Sequence, residues 1–268
     1  MGIIHDSDSL KMTRSNHESF PRFVINFIKK WLEIKAIKNF DLTLYPSKFI
    51  QKLVLQKLKI PNEKAQLLYQ TIDCESITYK PKFLINKKEI NILFVKFSYI
   101  RGGLLDLIDA IGLLPSYNFT LTIVGPEAAA KEMIESKALP YKNLKLNIKQ
   151  YCPPDAVSAL IYENDIVCVP ARAEVLGLVN AEGLAHGTPV VTTHVGGIPE
   201  VMNEGKNGWL AEPSNPTALA KTLQNCIEAD PSVLKAKCDA GRQFVEKNFD
   251  YRTMIARFVD ICEKTANA

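Results

Sequence analysis

From Ile90 onward, short apolar runs alternate with amphipathic stretches in a regular rhythm. The runs at 90–95, 119–124, 144–148, 165–169 and 189–192 are rich in β-branched residues and bounded by Gly, Pro or Asn. That pattern predicts buried strands. Between them, 103–114, 127–136, 154–162 and 178–186 read as helices, and strand–helix–strand at this spacing predicts right-handed crossovers and a parallel, doubly wound α/β sheet. Runs that are apolar on both faces agree, because helices must then cover both sides of the sheet. A short run at 208–211 predicts an edge strand. Helices follow over 216–229, 231–248 and 251–265.

The first ninety residues read as an incomplete unit. Strands are expected at 2–5 and 41–45, and Ser47 is placed to cap a helix running to residue 58. Between the strands, 20–38 forms a long basic amphipathic helix, with Phe23, Phe27 and Trp31 on one edge, Ile28 and Leu32 beside it, and Lys29, Lys30, Lys35 and Lys38 toward the other side. Such a helix either packs on a sheet or lies on a membrane surface. Two or three strands bury too little apolar surface to stand alone. The expected organisation is therefore a partial amino-terminal domain over 1–87, a ligand-binding domain over 88–250, and a carboxyl-terminal helix over 251–268 that packs back on the amino-terminal part.

Composition narrows the class. With 47% hydrophobic and 23% charged residues in 268, the chain is globular rather than disordered or fibrous. No apolar run is long enough to span a bilayer, and the start lacks the pattern of a secretory leader. The six cysteines (Cys74, Cys152, Cys168, Cys226, Cys238, Cys262) are scattered without a C-x-x-C pair, which suits reduced thiols better than disulfides or zinc. The expected location is the cytoplasm, with membrane association if the basic helix meets lipid. Of 33 Lys+Arg and 29 Asp+Glu, residues 1–90 carry 16 and 9, so the first third is basic and the remainder slightly acidic. The lysines lack the aromatic interleaving of a nucleic-acid platform, so nucleic acid is not an expected partner.

Chemistry concentrates in Pro170-Ala171-Arg172-Ala173-Glu174-Val175-Leu176-Gly177-Leu178-Val179-Asn180-Ala181-Glu182. A strand ends, a short loop follows, and a helix starts near Gly177. Loops at the carboxyl ends of parallel strands hold ligands in doubly wound proteins, and a helix start offers unpaired N–H groups and partial positive charge to a phosphate. Glu174 and Glu182 flank this cradle. Carboxylates repel phosphate but accept hydrogen bonds from sugar hydroxyls, so the residues alone point weakly to a sugar nucleotide. Two glutamates eight apart are otherwise ordinary surface residues.

Glu174-x7-Glu182, followed by Gly187-Thr188-Pro189-Val190-Val191 and Val195-Gly196-Gly197-Ile198-Pro199-Glu200-Val201, resembles the donor half of retaining GT-B glycosyltransferases of the E-x7-E superfamily (glycosyl transferases group 1). Leu93-Phe94-Val95, Ile123-Val124-Gly125, Asn164-Asp165 and Lys206-Asn207-Gly208 match in order, so that roughly 88–250 fits the family's carboxyl-terminal domain. His5-Asp6, Asp41-Leu42-Thr43 with Ser47, and Thr71-Ile72-Asp73 before Phe83 are similar to the end of its amino-terminal domain. The Gly-rich acceptor loop that the family carries earlier has no counterpart here, so the resemblance implies a truncated Rossmann-like amino-terminal domain.

The resemblance implies transfer of a sugar, of hexosyltransferase type, from a nucleotide-sugar to a glycan or lipid acceptor hydroxyl, with retention of configuration and without metal or other cofactor. Glu174 would hold the transferred sugar and His5 would face it as a second catalytic residue. Glu182 would hold the ribose. The backbone of Leu176, Gly177, Leu178 and Val179, with Lys96 and Arg101, would face the diphosphate. Here the basic pair is lysine then arginine where the family more often has arginine then lysine, so Lys96 acts as a point charge rather than a fork. Val175 replaces a usual glycine and would be strained at positive φ. Ala171 stands where serine is common. With the acceptor side incomplete, a non-catalytic nucleotide-sugar-binding scaffold, or one half of a split enzyme completed by a separate chain, stays open beside the transferase.

Three signals point elsewhere. Asp6-Ser7-Asp8 matches the D-x-D metal motif of the unrelated GT-A fold, but nothing around it fits that fold. His186 and His194 flank a strand without a ligand cluster, which suits packing or solvent contact better than metal. Asn118-Phe119-Thr120 is a glycosylation sequon that opens a core strand.

Overall fold

The computed structural model describes residues 20–267. The expected strand at 2–5, His5 and the Asp6-Ser7-Asp8 motif lie outside the described residues. The chain divides into two compact units, residues 1–70 with 254–268, and residues 71–253.

In the first unit, α1 (Phe20–Asn39), β1 (Thr43–Tyr45), α2 (Lys48–Leu58) and β2 (Ala65–Leu67) follow in order. β1 and β2 pair in parallel, Thr43 opposite Ala65 and Tyr45 opposite Leu67. Ser47 caps α2, its Oγ accepting from the Ile50 N–H at 3.2 Å. Ile50 and Val54 on α2 are fully buried. β2 carries no sequence signal of its own: Ala and Gln are poor strand formers, and pairing with β1 defines it.

The second unit holds a six-stranded, all-parallel sheet in the order β5-β4-β3-β6-β7-β8. Its strands are β3 (Glu89–Val95), β4 (Asn118–Val124), β5 (Leu144–Lys149), β6 (Ile166–Val169), β7 (Val190–Thr193) and β8 (Trp209–Ala211). β3 and β4 run in register from Glu89 opposite Asn118 to Val95 opposite Val124. Ile92, Leu93 and Phe94 are consecutive and all completely buried, as a central strand covered on both faces requires. The connecting helices are α3 (Leu104–Gly112), α4 (Lys131–Ala138), α5 (Pro154–Glu163), α6 (Leu178–His186), α7 (Ile198–Val201), α8 (Pro216–Ile227) and α9 (Pro231–Phe249). Proline at the first position starts both α8 and α9, after the side-chain caps Asn215 and Asp230, where its missing N–H costs nothing. α10 (Tyr251–Ala266) follows at once. Its residues from Met254 on belong to the first unit.

Two local departures from the sequence pattern have physical causes. The second strand–helix crossover opens as a 3-10 turn, Ala128–Ala130, before α4. β6 begins one residue late because at Asp165 the partner Asn91 N–H, at 2.8 Å, is taken by the carboxylate while the Asp165 N–H donates to the Asn91 carbonyl at 2.9 Å; the carboxylate also pairs with Lys87.

Candidate functional site

The strand order reverses between β3 and β6: successive strands step one way from β3 to β5 and the other way from β6 to β8. The loops leaving β3 and β6 therefore diverge, and a crevice opens outside their carboxyl ends. Lys96 and Arg101 stand in the first loop, Arg172 and Glu174 in the second.

Four contacts bind these loops into one surface. Lys96 Nζ forms an ion pair and hydrogen bond with Glu174 Oε2. The Arg172 N–H donates to the Arg101 carbonyl at 2.8 Å. The Arg172 guanidinium grips Asp106 with two bonds, Nε to Oδ2 at 2.8 Å and Nη2 to Oδ1 at 2.7 Å. From the far side, the loop after β7 packs on Glu174. A Cβ on Gly196 would stand 1.8 Å from the Glu174 carbonyl, and its φ of +60° disfavours any other residue.

Asp106 sits in the first turn of α3, whose N-cap, Gly103, offers no side-chain oxygen. The carboxylate thus complements the helix N-terminus as well as holding Arg172. Its side chain is only 9% exposed. Arg172→Ala leaves that carboxylate unpaired and is expected to cost about 1–3 kcal/mol of stability. Arg172→Lys should recover only part, because an ammonium cannot make both bonds. Urea denaturation midpoints check this; an unchanged midpoint for Arg172→Ala would show the pair to be idle.

α6 begins at Gly177, which adopts φ +85° and caps without a side chain. The backbone therefore turns sharply, leaving the N–H groups of Leu178 and Val179 in an uncapped first turn. Leu176 is fully buried beneath this turn. The strain that Val175 would suffer at positive φ does not arise: Val175 is not among the non-glycine residues with positive φ, and its N–H accepts no distortion in donating to Glu174 Oε1 at 3.0 Å.

Glu182 lies one turn further along α6 and does not share the Glu174 ion pair. It lines a cleft of about 470 Å³ with Thr71, Asp73, Asp155, Ser158 and His186. Burial pushes its carboxyl up to about 7, and among the described residues no hydrogen bond or salt bridge holds it. His186 is buried; its Nε2 lies 2.9 Å from Ser158 Oγ, and burial lowers its proton affinity. His194 is exposed, 3.6 Å from Glu204.

The structure thus brings together Lys96, Glu174 and the start of α6, places Arg101 in the same loop as Lys96, and sets Glu182 in the cleft it lines with Thr71, Asp73 and His186. Sequence reasoning missed Arg172–Asp106, the approach of Gly196 and the cleft walls from Thr71 and Asp73. The charge at Arg172, two residues before Glu174, was a usable signal for the first. Among the described residues, no group of three or more His, Cys, Asp or Glu is arranged to hold a metal ion, and no helix is long and apolar enough to cross a membrane.

Residues 75–241 match the protein family described as Glycosyl transferases group 1. An uncharacterized glycosyltransferase of Methanocaldococcus jannaschii, MJ1178, is 28% identical over 213 residues, which cover 79% of this chain and 56% of that protein. A glycogen synthase of Mycobacterium tuberculosis is 29% identical over 152 residues, 54% of this chain and 36% of its own. The chain thus spans about half or less of the length of these relatives. Among solved structures, Alr3699/HepE of Anabaena in complex with UDP and glucose superposes with a TM-score of 0.76 at 18% identity, over 97% of this chain and 70% of its own. Sucrose-phosphate synthase of Thermosynechococcus elongatus superposes at 0.77 and 19% identity, over 96% and 65%. At such identities the likeness concerns the fold, which is that of GT-B glycosyltransferases. Because the family match covers most of the unit that carries the crevice, the chain belongs to the glycosyl transferases group 1 family.

Proposed function

We propose that this chain binds a nucleotide-sugar in the crevice between the β3 and β6 loops and transfers its sugar to a glycan or lipid hydroxyl with retention of configuration. The observation that carries the reading is the meeting of Lys96 and Glu174 beside the uncapped first turn of α6. A basic residue, an acidic residue and free helix N–H groups are what a diphosphate joined to a sugar requires. The structural neighbour Alr3699/HepE, seen in complex with UDP and glucose, supports that ligand class.

In the free protein Lys96 is held by Glu174, with side chains 26% and 15% exposed. Such a partly screened pair contributes about 1 kcal/mol or less, whereas a charge-assisted bond to phosphate contributes about 1.5–3 kcal/mol. The arriving diphosphate therefore wins Lys96, and the released Glu174 carboxylate turns to the sugar hydroxyls. Arg101 and the Leu178 and Val179 N–H groups meet the charge that builds as the nucleoside diphosphate departs, so no metal is needed for that step. Glu182 accepts from the ribose hydroxyls. The acceptor hydroxyl attacks on the face that the leaving group vacates, which preserves configuration without a protein nucleophile.

Calorimetric titration with UDP and GDP tests this. Binding of one of them is expected to weaken at least tenfold in Lys96→Ala/Arg101→Ala and to be unmoved by EDTA. No binding of either nucleotide, or binding indifferent to the double substitution, would refute the site. The second reading is a nucleotide-sugar-binding module without transferase activity of its own. Nucleotide binding without donor turnover in the presence of lipid and glycan extracts would select it.

A further inference from the structure

The outer face of α1 is built for a surface other than protein. At about 100° per residue, Trp31, Ile28, Leu32 and Ile25 fall within an arc of roughly 120°. They are 50%, 50%, 52% and 53% exposed, whereas Ile37, on the opposite side of the helix, is 8% exposed. Asn26 and Lys30, beside Ile37 on that wheel, are only half-exposed. The apolar arc therefore points directly away from the side on which the helix packs. The sequence expectation that the lysines gather opposite the apolar edge fails here. Lys35 lies inside the arc, its Nζ 5.1 Å from the centre of the Trp31 ring, and Lys29 and Lys38 border it, all three exposed. Glu33 is the one acidic residue of α1, against Arg22 and four lysines.

Lysine inside an apolar face decides between occupants. A protein partner would have to strip water from the Lys35 ammonium, and the cores of protein interfaces are depleted in lysine for that reason. At a bilayer surface the same residue stretches its methylenes over the apolar side chains and keeps its charge among phosphates. A tryptophan in the arc has an apolar body and a polar N–H suited to that boundary. The helix is too charged to span. We propose that α1 lies flat on an anionic lipid surface, with Ile25, Ile28, Trp31 and Leu32 below the headgroups and Lys29, Lys35 and Lys38 against lipid phosphates. This proposal uses the first unit alone and is independent of the donor site.

Flotation of the full chain with vesicles of phosphatidylcholine alone, or with about one-third phosphatidylglycerol, tests it. Binding is expected only with the anionic lipid and should fall with added salt. Each lysine near such a surface contributes about fivefold in affinity. Lys29→Ala/Lys35→Ala/Lys38→Ala should therefore lose on the order of a hundredfold, and Trp31→Glu should abolish binding. In a Trp209→Phe background, the remaining tryptophan, Trp31, should shift its emission to shorter wavelength on binding. Lys29, Trp31, Lys35 and Lys38 are exposed, so their substitution should leave circular dichroism and melting unchanged against the same background, Trp209 being partly buried on the core. Absence of binding to anionic vesicles, or binding that survives both sets of substitutions, overturns the proposal. So does a lipid-free dimer, seen by sedimentation, that Trp31→Glu disrupts, since the face would then belong to a second copy.

Discussion

Replacing Glu174 with alanine is expected to lower donor-sugar turnover by on the order of a hundredfold, the scale of loss when a reacting sugar is no longer held in place, while nucleotide affinity stays equal or tightens. The asymmetry follows from the ion pair. Glu174 neutralises Lys96 in the free protein, so its removal leaves that ammonium unpartnered by Glu174 and ready for a diphosphate, a gain of up to about fivefold if the pair is worth about 1 kcal/mol. The carboxylate itself touches no phosphate in the proposed complex, so nothing offsets the gain. Glu174→Gln should behave alike, because an amide cannot hold Lys96 as an ion pair. Release of nucleoside diphosphate from a nucleotide-sugar, followed beside calorimetry with the nucleotide alone, separates the two effects. A parallel fall in turnover and nucleotide affinity would place Glu174 on the nucleotide and not on the sugar.

The sheet and the loop that carries Glu174 were legible because both are written in local pattern. Apolar runs between 90 and 192 mark each central strand, and Gly177 ahead of Leu178 marks the turn into α6 at a position that adopts φ +85°. The contacts that assemble the crevice were not legible, since they join residues far apart in sequence, Arg172 with Asp106 and Gly196 with the Glu174 carbonyl; nor was the cleft that Thr71 and Asp73 line with Glu182. Periodicity reports which face of an element is apolar, and nothing about which loop crosses another. α1 shows the same limit in reverse. Its amphipathic pattern predicted a helix, which forms, but Ile28, Trp31 and Leu32, which suggest packing on a sheet, are about half-exposed. β2 was invisible for a further reason, because Ala65-Gln66-Leu67 has neither strand propensity nor length and exists through its partner β1.

Glu182→Gln is expected to move stability and nucleotide binding in opposite directions, which makes it the sharpest probe of the proposed nucleoside side of the site. Burial holds its carboxyl at about 7, against about 4.3 for an unfolded chain. A group whose folded value is raised leaves stability untouched below the unfolded value and subtracts from it as pH rises toward the folded one; above about 7 the full cost of a buried charge is present. Glu182→Gln should therefore stabilise the protein at pH 8 by on the order of 1–3 kcal/mol, several degrees in Tm, and by little near pH 4. Nucleotide affinity should move the other way. In the proposed complex ribose hydroxyls donate to the ionised carboxylate, so the substitution should weaken binding at pH 8 by roughly ten- to a hundredfold. Wild-type affinity for a nucleotide-sugar should fall as pH drops from 8 to 6, at most about tenfold per unit for one proton. A nucleotide-sugar lacks the phosphomonoester proton that titrates near 6, so this slope belongs to the protein. A slope that persists in Glu182→Gln would show that Glu182 is not the group responsible. A variant that melts lower at pH 8 would instead make Glu182 a structural residue.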